Sequence, residues 1–117
     1  MKSKNTEPPA PEFAYQYALR LLAGRDYSVA KIRGKLAARV VSEPDVEEAI
    51  LRLQAEGWLD DRRYAERFAG SALSSGRFYG PRLRYEIRRR GIPAELADEV
   101  IKLVCEEYDE VNELREI

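Results

Sequence analysis

The feature that most limits what this chain can fold into is an apolar pattern that occurs twice. Ile32 and Leu36 stand four residues apart, and Leu83 and Ile87 repeat them at an offset of 51. After a slip of one residue, Val46, Ile50, Leu53 and Trp58 correspond to Leu96, Val100, Leu103 and Tyr108 at an offset of 50. Spacings of three and four line up side chains on one face of a helix, whereas a half-buried strand would alternate. Self-similarity at a fixed period means that one supersecondary unit is used twice. The expected fold is therefore all-α, built from two tandem three-helix repeats, and there is no convincing strand signal. Three short helices bury little core alone, so the repeats are expected to stack.

The boundaries follow from local signals. Residues 1–11 carry three prolines and almost no large apolar side chain, a composition that reads as a flexible tail. A first repeat is expected over 12–59, a second over 60–108, and the start of an incomplete third over 109–117. The first helix spans about 13–23, with Ala14, Ala18, Leu21 and Leu22 on one face and Gly24 as a left-handed cap. Ser28 caps the second, which turns Ile32, Leu36 and Val40 inward. The third opens near Ser42-Glu43-Pro44-Asp45, buries Val46, Ile50 and Leu53, and ends at Gly57. Asp60 or Asp61 caps a fourth helix striped with Tyr64, Ala65, Phe68, Ala69 and Ala72. Ser74-Ser75-Gly76 reads as a loop, and Gly80-Pro81 as the start of a fifth helix that turns Leu83 and Ile87 inward and stops at Gly91. The sixth opens at Pro93 and aligns Leu96, Val100 and Leu103.

Charge follows the repeat. The net charge of −1 hides two poles. Between Arg77 and Arg90 six arginines face one acid, Glu86, whereas Glu95–Ile117 holds nine acids against Lys102 and Arg115. Both second helices are basic, with Lys31, Arg33, Lys35 and Arg39 in one and Arg82, Arg84, Arg88, Arg89 and Arg90 in the other. Both third helices are acidic on the outside, with Glu43, Asp45, Glu47 and Glu48, then Glu95, Asp98 and Glu99. A helix-turn-helix repressor would send its third helix into the major groove, and phosphate would repel these acids.

Catalytic chemistry finds little to work with. The chain has no His, which excludes imidazole metal sites and Ser-His-Asp triads. Its single Cys, Cys105, sits in an apolar run and reads as core filler; a lone thiol suits a reducing compartment. Asp60-Asp61 is a carboxylate pair, but neighbours on a helix diverge by about 100°, and capping accounts for both. No phosphate-binding glycine motif or zinc spacing occurs. The expectation is a non-enzymatic protein without catalytic residues, cofactor or metal. No run reaches the length of a membrane span and no apolar stretch behind Met1–Pro11 forms a signal peptide, so a cytoplasmic location is expected.

The basic faces are the candidate site: Lys31, Lys35 and Arg39 in the first repeat, and Arg77, Arg82, Arg84, Arg88, Arg89 and Arg90 in the second. The plain alternative is a solvated surface with scattered ion pairs. Arg is chosen over Lys throughout Arg77–Arg90, and its planar fork suits phosphate and carboxylate. With Tyr79 and Tyr85 interleaved, contact with a nucleic-acid backbone or an acidic protein groove is favoured. That reading requires Arg82, Arg84, Arg88 and Arg90 to be largely free of the chain's own carboxylates. Trp58, Tyr64 and Tyr27 read first as core packing.

Three ordered stretches resemble the RecX family. Ala18-Leu19-Arg20-Leu21-Leu22 followed by Arg25-Asp26-Tyr27-Ser28 is similar to the start of that family's first repeat. Gly57-Trp58-Leu59-Asp60-Asp61-Arg62-Arg63-Tyr64-Ala65 with Phe68 resembles its most recognisable segment. Gly80-Pro81 with Leu83, Glu86-Ile87 and Gly91-Ile92-Pro93 resembles the opening of its second repeat. The resemblance implies repeats stacked into an elongated helical array of right-handed type, forming a regulator that lies in the groove of a RecA filament on single-stranded DNA and inhibits RecA's ATP hydrolysis and strand exchange, without an activity of its own. It also implies a third repeat, which this chain reaches only at 109–117, and Lys31-Ile32 and Val40 depart from the family's usual Glu-Leu and Gly. A nucleic-acid-backbone-binding module acting without RecA is the alternative expectation.

Overall fold

The computed structural model describes residues 10–39 and 42–116. The chain forms six helices: α1 (Ala10–Gly24), α2 (Val29–Ala37), α3 (Glu43–Ala55), α4 (Asp61–Ser75), α5 (Gly80–Arg88) and α6 (Ala94–Glu116). No strand occurs among the described residues. The chain divides after Asp60 into two compact units of three helices each.

In the first unit, α1 begins two residues inside the segment expected to be a tail. Pro11 stands in its first turn, where a missing N–H sacrifices no hydrogen bond. Residues 1–9 lie outside the described residues. Ala14 and Ala18 are fully buried, and their small side chains let α3, the main neighbour of α1, approach closely. Leu21 and Leu22 pack half-buried at the rim. Ser28 caps α2 as expected: its backbone is extended (φ −73°, ψ 161°) and its hydroxyl accepts the Lys31 N–H at 3.2 Å. Gly24 is not a left-handed cap, since positive φ occurs only at Gly57, Gly76, Gly80 and Gly91 among the described residues. The chain leaves α1 through a bend at Arg25 and reaches the cap at Ser28 without a left-handed residue. Ile32 and Leu36 are buried with Val46, Ala49, Ile50 and Leu53 of α3, whereas Val40 lies outside the described residues.

The close of α3 decides the fate of Trp58. Gly57 takes φ 84°, and the Trp58 N–H reaches back to the Leu53 carbonyl at 2.9 Å. This six-to-one bond with a left-handed glycine is a Schellman close. The turn carries Leu59 into the core at 2% exposure and leaves Trp58 outside at 52%. The expectation that Trp58 packs inside is therefore corrected, and Leu59 takes that place.

In the second unit α4 buries Ala65, Ala69 and Ala72, with Tyr64 and Phe68 packed half-buried beside them. Ser74 and Ser75 are helical rather than loop; Gly76 (φ 72°) ends the helix and the Arg77 N–H bonds the Ala72 carbonyl. α5 starts at Gly80-Pro81 as expected and buries Leu83 and Ile87, each worth about 2 kcal/mol of transfer free energy. Ile92, Ala97 and Val100 complete this core. Leu103, expected inside, is 44% exposed. Asp109–Glu116, the segment expected to begin a third repeat, are helical and continuous with α6.

The two units keep one constant stride of 51 residues, and the one-residue slip disappears. Ala14 and Ala18 match Ala65 and Ala69, and Ile32 and Leu36 match Leu83 and Ile87. Val46 and Ala49 match Ala97 and Val100, while Leu53 matches the half-buried Val104. Matching by side-chain size pairs Leu53 with Leu103; helix geometry pairs positions, and a small alanine at 97 fills the place of Val46.

Candidate interaction surface

Three arginines in and just after α5 converge on a carboxylate that composition hides. Glu86 is 3% exposed, although α5 lies at the surface. Its Oε2 accepts from Arg82 Nε at 3.0 Å, its Oε1 accepts from Arg90 at 3.0 Å, and Arg89 stands 3.6 Å away. Arg90 also donates to the Glu86 backbone carbonyl at 2.7 Å. The hydrogen bond from Arg90, then that from Arg82 and the charge of Arg89, hold the Glu86 carboxyl below its ordinary range against the opposing effect of burial. Spacings of three and four on one helix make this cluster, so the pattern Arg82-x3-Glu86-x3-Arg90 was the signal available in the sequence.

The remaining arginines are also engaged. Arg84 grips Asp98 of α6 with both branches, Nε to Oδ1 at 2.7 Å and Nη2 to Oδ2 at 3.4 Å. The hydrogen bond keeps the Asp98 carboxyl low and raises the Arg84 guanidinium. Arg88 donates to the Ile92 carbonyl at 2.6 Å. Arg77 donates to the Ser75 and Ser71 hydroxyls and stands 5.5 Å from the Phe78 ring, which Arg82 faces at 5.3 Å. Arg90 lies 4.1 Å over Phe68, whose ring neighbours that of Phe78 at 6.1 Å. The requirement that Arg82, Arg84, Arg88 and Arg90 be free of the chain's own carboxylates is therefore not met: three of them hold Glu86 or Asp98. The fifth and sixth helices pack against each other, and i,i+4 geometry does the rest.

Engagement does not remove the surface. The Arg82 and Arg89 side chains stay 65% and 60% exposed, although the Glu86 carboxylate that they hold is buried. One carboxylate facing three guanidiniums also leaves the cluster net positive.

The first unit repeats part of this pattern. Arg33 grips Glu47 at 2.7 and 3.1 Å and keeps that carboxyl low, at the position of Arg84 and Asp98. Arg39 lies 4.6 Å over Tyr17, matching Arg90 over Phe68. Lys35 and Arg25 face Tyr27 at 5.6 and 5.2 Å, so Tyr27 is a half-buried platform for cations as well as a packing residue. Lys31 is exposed on α2. The basic residues named from sequence thus belong to two separate units, and among them Arg82, Arg89 and Arg90 gather on one group. A second cluster missed by sequence reading joins Tyr15, Glu56, Arg52 and Glu12: the Tyr15 hydroxyl donates to Glu56, which also receives Arg52. The bond to Glu56 pushes the Tyr15 hydroxyl up and the Glu56 carboxyl down.

Asp61 opens α4 and Asp60 precedes it, near the positive end of the helix. Among the described residues no group of three or more His, Cys, Asp or Glu is placed to hold a metal ion. Cys105 is half-buried, and burial first, then Asp109, pushes its thiol up. No helix is long and apolar enough to cross a membrane among the described residues.

Fold and surface together define a class: an all-helical protein of two repeated three-helix units that carries an arginine cluster on the middle helix of the second. Comparison with known proteins gives the family. Residues 14–53 match the family model described as RecX, first three-helix domain, and residues 60–101 match RecX, second three-helix domain. The "Regulatory protein RecX" of Trichlorobacter lovleyi is 42% identical over 107 residues, covering 92% of this chain and 70% of that protein. The protein of the same name from Thermus thermophilus is 49% identical over 89 residues, covering 75% of this chain and 60% of that one. The crystal structure of RecX from Lactobacillus salivarius shares the fold with a TM-score of 0.77 at 19% identity, over 80% of this chain and 61% of that chain. The chain belongs to the RecX family, and it spans 60% to 70% of the length of these two sequence relatives.

Proposed function

We propose that this protein is a non-enzymatic cytoplasmic regulator that docks on RecA filaments assembled on single-stranded DNA and restrains RecA's ATP hydrolysis and strand exchange. The observation that carries the reading is the match of both units, in order, to the two RecX domains. The net-positive α5 surface supports it, because a filament presents both phosphates and acidic protein surface to such a group.

The test is co-sedimentation with RecA filaments in the presence of an ATP analogue, beside naked single strands, together with RecA's DNA-dependent ATPase rate. The expected result is co-sedimentation and a fall in ATPase at well below one copy per RecA monomer. An equimolar mixture with unchanged ATPase overturns the reading. Binding to naked strands without RecA dependence replaces it by the backbone-binding alternative, and such binding would weaken steeply with salt. Charge-reversal variants must respect the Arg84–Asp98 clasp: Arg84→Glu alone sets two carboxylates face to face, so it is paired with Asp98→Arg.

A further inference from the structure

The constant stride allows one unit to be subtracted from the other. The clasps Arg33–Glu47 and Arg84–Asp98 cancel, and so do the stacks Arg39–Tyr17 and Arg90–Phe68. These are the framework of the repeat. One face of α5 does not cancel. Where the first unit has Ser28, Lys31, Gly34, Lys35 and Ala38, the second has Tyr79, Arg82, Tyr85, Glu86 and Arg89.

That face is unusual in what it exposes. Tyr79 and Tyr85 are 70% and 60% exposed, far more than the tyrosines of the first unit. At 100° per residue, Arg82, Tyr85 and Arg89 fall within an arc of about 60°, with Tyr79 at the helix mouth. Glu86, beneath them, holds Arg82 and Arg89 side by side and leaves the group net positive.

We propose that this face of α5 is a contact for a single strand of nucleic acid, in which Tyr79 and Tyr85 take unstacked bases and Arg82 and Arg89 lie along the phosphates. Phosphate complements the net positive charge, and every base offers a face on which a tyrosine ring stacks. An acidic protein surface would meet the charge but would leave both rings without a role. The inference deepens the reading above by assigning the strand, rather than RecA subunits, to this face.

The experiment uses the full chain and a fluorescein-labelled oligothymidylate of about 20 nucleotides, longer than one module's site, in low salt. Anisotropy should report binding. Tyr79→Ala and Tyr85→Ala should each weaken it by about 5-fold or more, the loss of one stacked base. Tyr85→Phe should bind like the parent, and Arg82→Ala with Arg89→Ala should lower the salt slope by about 1.4, the share of two phosphates on a single strand. Lys31→Ala, at the matching place in α2, should leave the tyrosine dependence intact. All these side chains are exposed, so circular dichroism should show unchanged helicity. Parent-like binding by the double tyrosine variant overturns the proposal, as does displacement of the protein by polyglutamate with no measurable binding to oligothymidylate. If the parent co-sediments with RecA filaments yet ignores oligothymidylate, this assignment falls and the RecA reading stands. If it binds oligothymidylate through the tyrosines but leaves RecA untouched, the reverse holds.

Discussion

Gly34 and Gly57 offer a controlled test of how this fold uses glycine. A Cβ built at either position meets nothing within 4 Å, so space is not a variable. Backbone conformation is. Gly34 lies inside α2 with helical dihedrals, whereas Gly57 closes α3 with φ 84°. Gly34→Ala removes unfolded-state freedom and adds helix propensity, which should stabilise the protein by about 0.5–1 kcal/mol. Gly57→Ala forces a left-handed alanine and should destabilise it by about 1–2 kcal/mol. The expected melting temperatures move in opposite directions, by roughly 2–5 °C up and 4–8 °C down. Thermal denaturation followed by circular dichroism measures both, and urea midpoints give an independent scale. The stride supplies a further check, since Tyr85 already occupies in α5 the place that Gly34 holds in α2. A Gly34→Ala protein that melts below the parent would refute the reasoning, because neither a clash nor a strained dihedral is there to explain it.

Other consequences can be measured on the same material. Leu83→Ala empties a fully buried site and should cost about 2–4 kcal/mol in urea denaturation, while Leu103→Ala, on an exposed position, should stay within about 0.5 kcal/mol. Glu86→Gln should lower the melting temperature at neutral pH. The Glu86 carboxyl is held below its ordinary 4.5 in the folded chain, so the parent's advantage should be full above that value and vanish as pH falls through the depressed one. Double-mutant cycles on Arg33–Glu47 and Arg84–Asp98 should give similar coupling near neutrality, and both couplings should fade in acid as Glu47 and Asp98 take up protons.

Much of this architecture is legible in the sequence, for local reasons. Ser28, Pro44 and Pro81 announce helix starts whose geometry is set by their own backbones and side chains. Ile32, Leu36, Val46, Ile50, Leu83, Ile87 and Val100 fall on inward faces because the period of a helix is rigid. The misreadings have a common origin in judging residues by size or type instead of position. Leu103 reads as core because it is large, and Ala97 escapes notice because it is small. Trp58 reads as core because it is aromatic, although the left-handed turn at Gly57 sends Leu59 inward instead. Gly24 reads as a left-handed cap because glycine so often is one. At the candidate surface the arginines are visible in the sequence, but their partners are not. Glu86 is one acid among six arginines in composition, and only helical spacing shows that three of them reach it; Asp98 lies on another helix, fourteen residues away from Arg84.

The unbroken stride of 51 residues has a consequence for how such a chain diverges. With no insertion or deletion between matching helices, each unit can exchange outward residues without refitting its interior. Lys35 and Glu86 occupy one place in the two copies, and this single reversal of sign separates a lysine resting on an aromatic ring from a carboxylate that gathers guanidiniums. The two copies therefore differ in character through a handful of positions on one nine-residue helix and its two caps, over a chassis that both share.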